Sequence, residues 1–222
     1  MKGIDHLFPL LDRFKNLHNN IEVDIYVGLC NQIIDRVTSR ESHFGILKTG
    51  TPTYVNPLFV SKVVEIDENI LVFSPHHKFS RREELTLAEV SKEPMIAYGK
   101  KTNYWDQILD IFHNAGLSPK VSMEAYDYHT IKLLLKTSLG VAILPDICVK
   151  EELDMGTFKT LPIIDCPPIK RYSILIYRKD LLFTDLTKGF LDSLLRFSEA
   201  SLQSKLSIVS SKETTKLGQT IG

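Results

Sequence analysis

Short apolar segments with a strand pattern alternate with amphipathic helix patterns along this chain, and this alternation restricts the fold more than any other feature. The clearest unit is an extended segment at 121–125, a helix pattern carrying Ile131 and Leu135, and a buried strand at 141–144 that ends at Pro145. Strands joined through helices pair in parallel with right-handed crossovers. The chain is therefore predicted to have an α/β fold, with doubly wound parallel sheets covered by helices on both faces.

The first third of the chain repeats the same alternation. Apolar residues from Leu7 to Leu17 recur at helical spacing, and residues 21–27 alternate with a period of two. A second helix is predicted to end near Ser39, and residues 44–47 are predicted to form a short buried strand. This part of the chain should contain two helix–strand pairs.

The remaining patterns divide the chain into two lobes. Extended segments at 60–66 and 70–73 end at Pro75, and a new series of strands and helices starts at about residue 86. A strand at 172–177 and a final amphipathic helix follow. The predicted first lobe comprises residues 1–73 and 175–198, the second comprises 74–174, and the polar residues 199–222 are predicted to be a disordered tail.

Composition excludes several classes of function. Twenty-seven basic and twenty-seven acidic residues give a formal charge of zero, which argues against direct binding of DNA by this chain. Neither an export signal nor a membrane span is recognisable, which favours a cytoplasmic location. The three cysteines are widely spaced and are predicted to be incidental thiols. No cofactor or metal is predicted, and the sequence motifs of nucleophilic, nucleotide-binding and zinc enzymes are missing, so the chain is predicted not to be an enzyme.

Ligands of open α/β sheets bind beyond the carboxyl ends of the strands, where helix N-termini offer unpaired N–H groups. This rule selects the residues that follow the predicted strands, together with the last strand of the clearest unit. The candidate ligand-binding residues are Gly28, Asn31, Lys48, Thr49, Gly50, Lys100, Thr102, Asn103, Tyr128, His129, Thr130, Ile143 and Pro145. Lys100 and the helix that starts after Thr102 favour an anionic ligand.

Several of these residues have a purely structural alternative. Thr102 or Asn103 is suited to cap its own helix, and Asp127 is interpreted as an N-cap in preference to a ligand contact. His129 has no Cys, Asp or His at metal-ligand spacing and is interpreted as a solvated or capping group. The segment from Gly140 to Pro145 either closes over a ligand or forms a tight turn before a buried strand.

Three segments together resemble the effector-binding domain of LysR-type transcriptional regulators. They are residues 6–14 (HLFPLLDRF), 140–145 (GVAILP) and 172–179, with residues 75–79 and 115–119 in the expected order between them. The resemblance covers about residues 7–197. It implies a two-lobed fold like that of type 2 periplasmic binding proteins, with crossover strands near 72–75 and 174–177 and an effector in the cleft between the lobes.

The resemblance also implies an effector contact, a homodimer and a set of N-terminal elements that this sequence lacks. Thr102 matches a Ser or Thr that commonly touches the effector, and members of the family pair into homodimers. Their winged helix-turn-helix, linker helix and first strand do not precede the helix that begins near Asp5. The chain is thus expected to be a truncated form, a fragment or a mis-started reading frame, in which the strands at 21–27 and 44–47 lack their shared neighbour.

A solute-binding protein of a transport system is the alternative function, because it has the same fold and cleft. The genomic sequence upstream discriminates the two hypotheses, since a regulator requires an in-frame helix-turn-helix and a transport receptor requires a hydrophobic leader.

Overall fold

The computed structural model describes residues 7–100 and 102–199, which divide into two compact units. Residues 48–51 and 67–171 form the first unit, and the other described residues form the second. The chain therefore passes from one unit to the other within its long strands. The predicted tail at 199–222 lies outside the described residues except for Glu199.

The sheet of the first unit combines parallel and antiparallel pairs. Its strands are β3 (Met95–Tyr98), β4 (Val121–Ala125), β5 (Val141–Pro145) and the second half of β2 (Phe59–Phe73). Their order is β2-β5-β3-β4, in which β3 pairs in parallel with both neighbours and β2 runs antiparallel to β5. The prediction of purely parallel sheets is therefore wrong for β2, because this strand and β5 are not joined by a crossover helix.

Alternate residues of these strands belong to two different apolar clusters. Leu71, Ala97 and Ile143 pack on one face with Trp105 of α4 (Asn103–Asn114), whereas their chain neighbours pack on the other face with Ile131 of α5 (Tyr128–Lys136). Strand residues alternate between the two faces of a sheet, so an apolar run such as 141–145 is buried on both sides. The short helix α3 (Leu87–Ser91) adds to the first cluster, and α6 (Asp146–Asp154) adds to the second.

The second unit is built in the same way around the strand order β1-β6-β2, where β1 is Gly45–Thr49 and β6 is Ile169–Arg178. On one face Leu10 of α1 (Leu7–Leu17) packs with Leu191 and Leu194 of a last helix, α7, at 185–199. On the other face Val37 of α2 (Cys30–Thr38) packs with Leu47 and Ile174. Each unit thus has a separate two-sided core.

The predicted strand at 21–27 is not present. These residues belong to no strand, and no backbone hydrogen bond joins residues 22–28 to any other part of the chain that the structure describes. Val23, Ile25 and Val27 are 39%, 49% and 55% exposed. An alternating pattern specifies a strand only when a neighbouring edge receives its hydrogen bonds, and here none is in place.

The other predicted helices and strands differ less from those in the structure. The extended segments at 60–66 and 70–73 are one continuous strand, because Asp67, Glu68 and Asn69 remain in the sheet despite their polarity. Helix α6 was not predicted, since only Cys148 and Val149 are buried on it and they give no helical periodicity. The other predicted helices and strands are present, with ends shifted by a few residues.

Candidate functional site

Helix α4 begins at the predicted site residue Thr102, and this side chain is used by the helix itself. Its Oγ1 accepts a hydrogen bond from the backbone N of Trp105 at 3.3 Å and donates one to the carbonyl oxygen of Gly99 at 2.8 Å. Asn103 is the exposed first residue of the helix, and the exposed Lys100 donates its backbone N–H to the Glu124 carboxylate at 2.7 Å. The capping alternative for Thr102 is therefore correct, and contact with a ligand stays a prediction.

Helix α5 begins in the same manner at the end of β4. The carboxylate of Asp127 accepts a hydrogen bond from the backbone N of Thr130 at 2.8 Å, and this bond lowers the pKa of Asp127. His129 and Thr130 are exposed in the first turn, while Tyr128 is half-buried. The interpretation of Asp127 as an N-cap is confirmed by this geometry.

The two helix N-termini lie at the same edge of the sheet. Tyr98 and Ala125, the last residues of β3 and β4, are partners in a parallel pair, and each is followed within five residues by its helix. The partial positive charges of both helix dipoles are consequently placed beyond the carboxyl ends of adjacent strands. This is the position at which an anion is favoured.

Three tyrosines form a cluster beside these N-termini. The rings of Tyr98 and Tyr128 are stacked with their centroids 4.7 Å apart, and Tyr98 meets Tyr104 edge-on at 5.8 Å. The Tyr104 hydroxyl donates a hydrogen bond to the carbonyl oxygen of Ile143. The predicted site residue Ile143 therefore contacts the tyrosine cluster through its backbone, while its side chain is buried in the core. Burial raises the pKa of all three hydroxyls, which therefore stay protonated at neutral pH.

Asp67 and Arg171, which were not predicted as site residues, form a buried polar cluster. Two predicted site residues, Lys48 and Tyr128, contact this cluster. The Asp67 carboxylate binds Nη2 of Arg171 at 2.9 Å and Nζ of Lys48 at 3.2 Å. Nη1 of Arg171 donates to the hydroxyl of Tyr128 at 3.3 Å. Asp67 and Arg171 are only 3% and 5% exposed. Burial alone lowers the pKa of Arg171, but Tyr128 and Asp67 raise it overall, so the guanidinium stays charged.

The missed residues give no local signal. Asp67 and Arg171 are separated by 104 positions in the chain, and each has a charged neighbour, Glu68 or Lys170, from which its residue type does not distinguish it. Their contact depends on how β2 and β6 meet.

The other predicted residues are placed as follows. Thr49 Oγ1 donates to the carbonyl oxygen of Thr51 at 2.7 Å, and a Cβ at Gly50 would lie 2.9 Å from the side chain of Gln107, so this turn lies against α4. Pro145 is opposite Asn69 in the β2–β5 register. Gly28 and Asn31 belong to the second unit, where both are exposed at the start of α2.

Metal and disulfide chemistry is not assembled in the described residues. No group of three His, Cys, Asp or Glu side chains there is suited to hold a metal ion, and none of Cys30, Cys148 and Cys166 is in a disulfide. Within the same residues no helix has the length and apolarity needed to cross a membrane.

Capped helix N-termini, buried cations and tyrosine hydroxyls at one edge of an α/β sheet are the features of a binding domain for a small molecule. The chain belongs to the LysR substrate binding domain family, whose profile matches residues 3–198.

The similar curated proteins are bacterial transcriptional regulators. The chain is 22% identical over 189 residues to the transcriptional dual regulator GltC of Bacillus subtilis, covering 85% of this chain and 61% of that protein. It is 26% identical over 139 residues to the HTH-type transcriptional regulator CysB of Haemophilus influenzae, covering 61% of this chain and 41% of that protein. The chain thus spans about two fifths to three fifths of the length of these relatives.

Solved structures confirm the predicted fold class. The regulatory domain of CcmR from Synechocystis PCC6803, solved in complex with 2-PG, matches with a TM-score of 0.75 and 18% identity over 89% of this chain and 93% of that one. The effector binding domain of QuiR, solved with shikimate, matches with a TM-score of 0.73 and 18% identity over 89% and 92%. The fold is the α/β, periplasmic-binding-protein-like type 2 fold of LysR effector-binding domains.

Proposed function

We propose that this chain is the effector-sensing part of a LysR-type transcriptional regulator, and that it binds a small anionic molecule in the cleft between its lobes. The observation that carries the proposal is the pair of helix N-termini, α4 and α5, beyond adjacent parallel strands and beside the buried Arg171. Helix dipoles and a buried cation act in the same direction on an anion.

The relatives support this assignment. The compounds named with the two similar structures, shikimate and 2-PG, are both small molecules. The names of the similar curated proteins denote regulators, which supports a role that is not catalytic. A regulator of this type works in the cytoplasm, where its DNA is.

The lobes of this proposal are residues 1–73 with 175–198, and residues 74–174. Effector binding favours one arrangement of these lobes or of a homodimer over another, and a longer protein transmits that difference to its DNA-binding arms. Family resemblance supports the homodimer, and size-exclusion chromatography with light scattering measures it directly. The chain itself is not expected to bind DNA, because its formal charge is zero.

A thermal-shift screen of the purified chain against small anions tests the function. Organic acids, amino acids, sulfate and nucleotides are each added at increasing concentration. Binding to the folded form stabilises it by about 2.7 kcal/mol at one hundred times Kd, which raises Tm by roughly 5–10 °C for a chain of this size. If no anion in the screen raises Tm, the proposed function is wrong.

Two threonine variants separate capping from binding. Thr102→Ala removes a helix cap at the candidate site, whereas Thr86→Ala removes the equivalent cap of α3, where the Thr86 side chain accepts from the backbone N of Glu89. Each substitution is expected to cost about 1 kcal/mol of stability. Only Thr102→Ala should also weaken the anion-induced shift, and an equal shift in both variants would show that Thr102 is a cap alone.

A further inference from the structure

Asn69 is a buried amide that has no hydrogen-bond partner. The residue is only 3% exposed, and neither Oδ1 nor Nδ2 makes a hydrogen bond to any atom of the described chain. Buried polar side chains almost always have a partner, because an unpaired donor or acceptor away from water costs stability. An orphaned amide in the middle of a strand therefore calls for a partner other than the residues that the structure describes.

The surroundings of Asn69 are polar and positively charged. In the alternation of β2, Asn69 and Asp67 are both buried and are separated by one residue that is exposed, so they share a face of the sheet. Asp67 is bound by both Arg171 and Lys48, so two cations meet one carboxylate.

Arg171 also has an orphaned atom. Its Nη1 and Nη2 are engaged with Tyr128 and Asp67, but its Nε is buried and has no partner among the described residues. The guanidinium thus has one buried donor without a partner among the described residues, and its partner Asp67 shares a face of β2 with Asn69. A guanidinium donor recognises an oxyanion, and an amide pairs with a group that can both donate and accept.

We propose that Asn69 and Arg171 determine the chemical class of the effector, which is a small hydroxy acid. Its carboxylate is bound by Arg171, and its hydroxyl is bound by the Asn69 amide. The inference rests on the proposed function, because it assigns the ligand of that same domain. Since the amide is buried in the structure, neighbouring side chains must move before the ligand reaches it, and binding then selects the opened form.

Matched acids that differ by one hydroxyl group test the proposal. The purified chain is titrated with L-malate and succinate, with lactate and propionate, and with glycolate and acetate, and Kd is taken from the concentration dependence of Tm. The unmodified chain is expected to bind at least one hydroxy acid about tenfold or more tightly than its partner without the hydroxyl, since a buried polar site rejects an analogue that leaves it unpaired.

Asn69→Leu has two expected effects of opposite sign. Replacing the orphaned amide with an apolar side chain of similar size should raise the Tm of the ligand-free protein. It should also remove the preference for the hydroxy acid while the weaker, charge-dependent binding of both acids persists. Asn69→Asp, which keeps the size but only accepts hydrogen bonds and adds a negative charge, should weaken the binding of every acid.

Arg171→Lys, which lacks Nε, should weaken both members of each pair about equally. Lys170→Ala at the exposed preceding residue is the matched control and should leave all affinities unchanged.

The outcomes are distinguishable. If acids bind but the unmodified chain prefers no hydroxy acid, or if Asn69→Leu keeps the preference, the assigned ligand class is wrong while the anion-binding function stands. If no anion of any class raises Tm, the proposed function itself fails.

Discussion

At the scale of single residues, His77 is a half-buried histidine outside the candidate site, and its side chain is 9% exposed. Its ring is 5.7 Å from that of Phe73 and 4.7 Å from that of Phe79, and its Nε2 is 3.3 Å from the Glu93 carboxylate. Burial lowers its pKa, the Glu93 carboxylate partly opposes this, and the charge of Lys78 lowers it further. The net pKa is below the ordinary value of 6.5.

This shift predicts a loss of stability in acid. The folded protein takes up a proton at His77 less readily than the unfolded chain does, so stability is complete above pH 6.5 and falls as the pH decreases towards the lower folded pKa. Tm measured between pH 7.5 and 5.5 should fall, and the fall should be smaller in His77→Gln. His113→Gln, at an exposed position, is the control and should retain the full dependence.

Gly140 was interpreted from the sequence as part of a loop or tight turn. One close backbone contact explains why this position requires glycine. A Cβ at this position would lie 2.2 Å from the carbonyl oxygen of Pro94, which accepts the backbone hydrogen bond of Val141 at 2.9 Å. Gly140→Ala should therefore destabilise the fold by about 1–3 kcal/mol. Gly189→Ala, in α7 with open space around it, should stabilise by about 0.5–1 kcal/mol. Urea denaturation measures both, and equal effects would contradict this explanation.

At the scale of elements, helix α5 depends on its cap. Asp127→Ala removes the acceptor for the backbone N of Thr130 and should cost about 1 kcal/mol in denaturant unfolding. Asp127→Asn keeps an acceptor oxygen and should lose only a few tenths of that. Anion binding should not weaken in either variant, because a negative charge is removed from the site. A variant that folds with full stability but no longer binds anions would show that Asp127 contacts the ligand.

Helices were predicted better than strands, for a physical reason. The caps Thr102 and Asp127, and the apolar stripes behind them, are local features, so the start of α4 and of α5 can be predicted from neighbouring residues. A strand depends on a distant partner, which is why residues 21–27 were predicted as a strand although they pair with no strand in the part of the chain that the structure describes. The contact of Asp67 with Arg171 is equally distant, and so the centre of the candidate site was missed.

At the scale of the whole molecule, the two units have separate cores. A destabilising substitution in one unit is therefore predicted to leave the other unit folded. Ile108 is fully buried in the first unit and Leu175 in the second. Ile108→Ala and Leu175→Ala should each cost about 2–5 kcal/mol. Native-state hydrogen exchange should show that Ile108→Ala reduces protection in β3 and α4 but not in α7, and that Leu175→Ala does the reverse. Uniform loss of protection in both variants would indicate a single cooperative unit.

The unpaired segment at 21–27 has a consequence for handling the protein. Residues 22–27 form no backbone hydrogen bond within the part of the chain that the structure describes, and several of their apolar side chains are exposed, which is an arrangement that favours intermolecular β pairing. Glu22 and Asp24 are the acidic residues within this segment, and their negative charges oppose the pairing of such segments from different molecules. Replacing both with apolar residues is therefore expected to lower the concentration at which the folded protein remains dispersed.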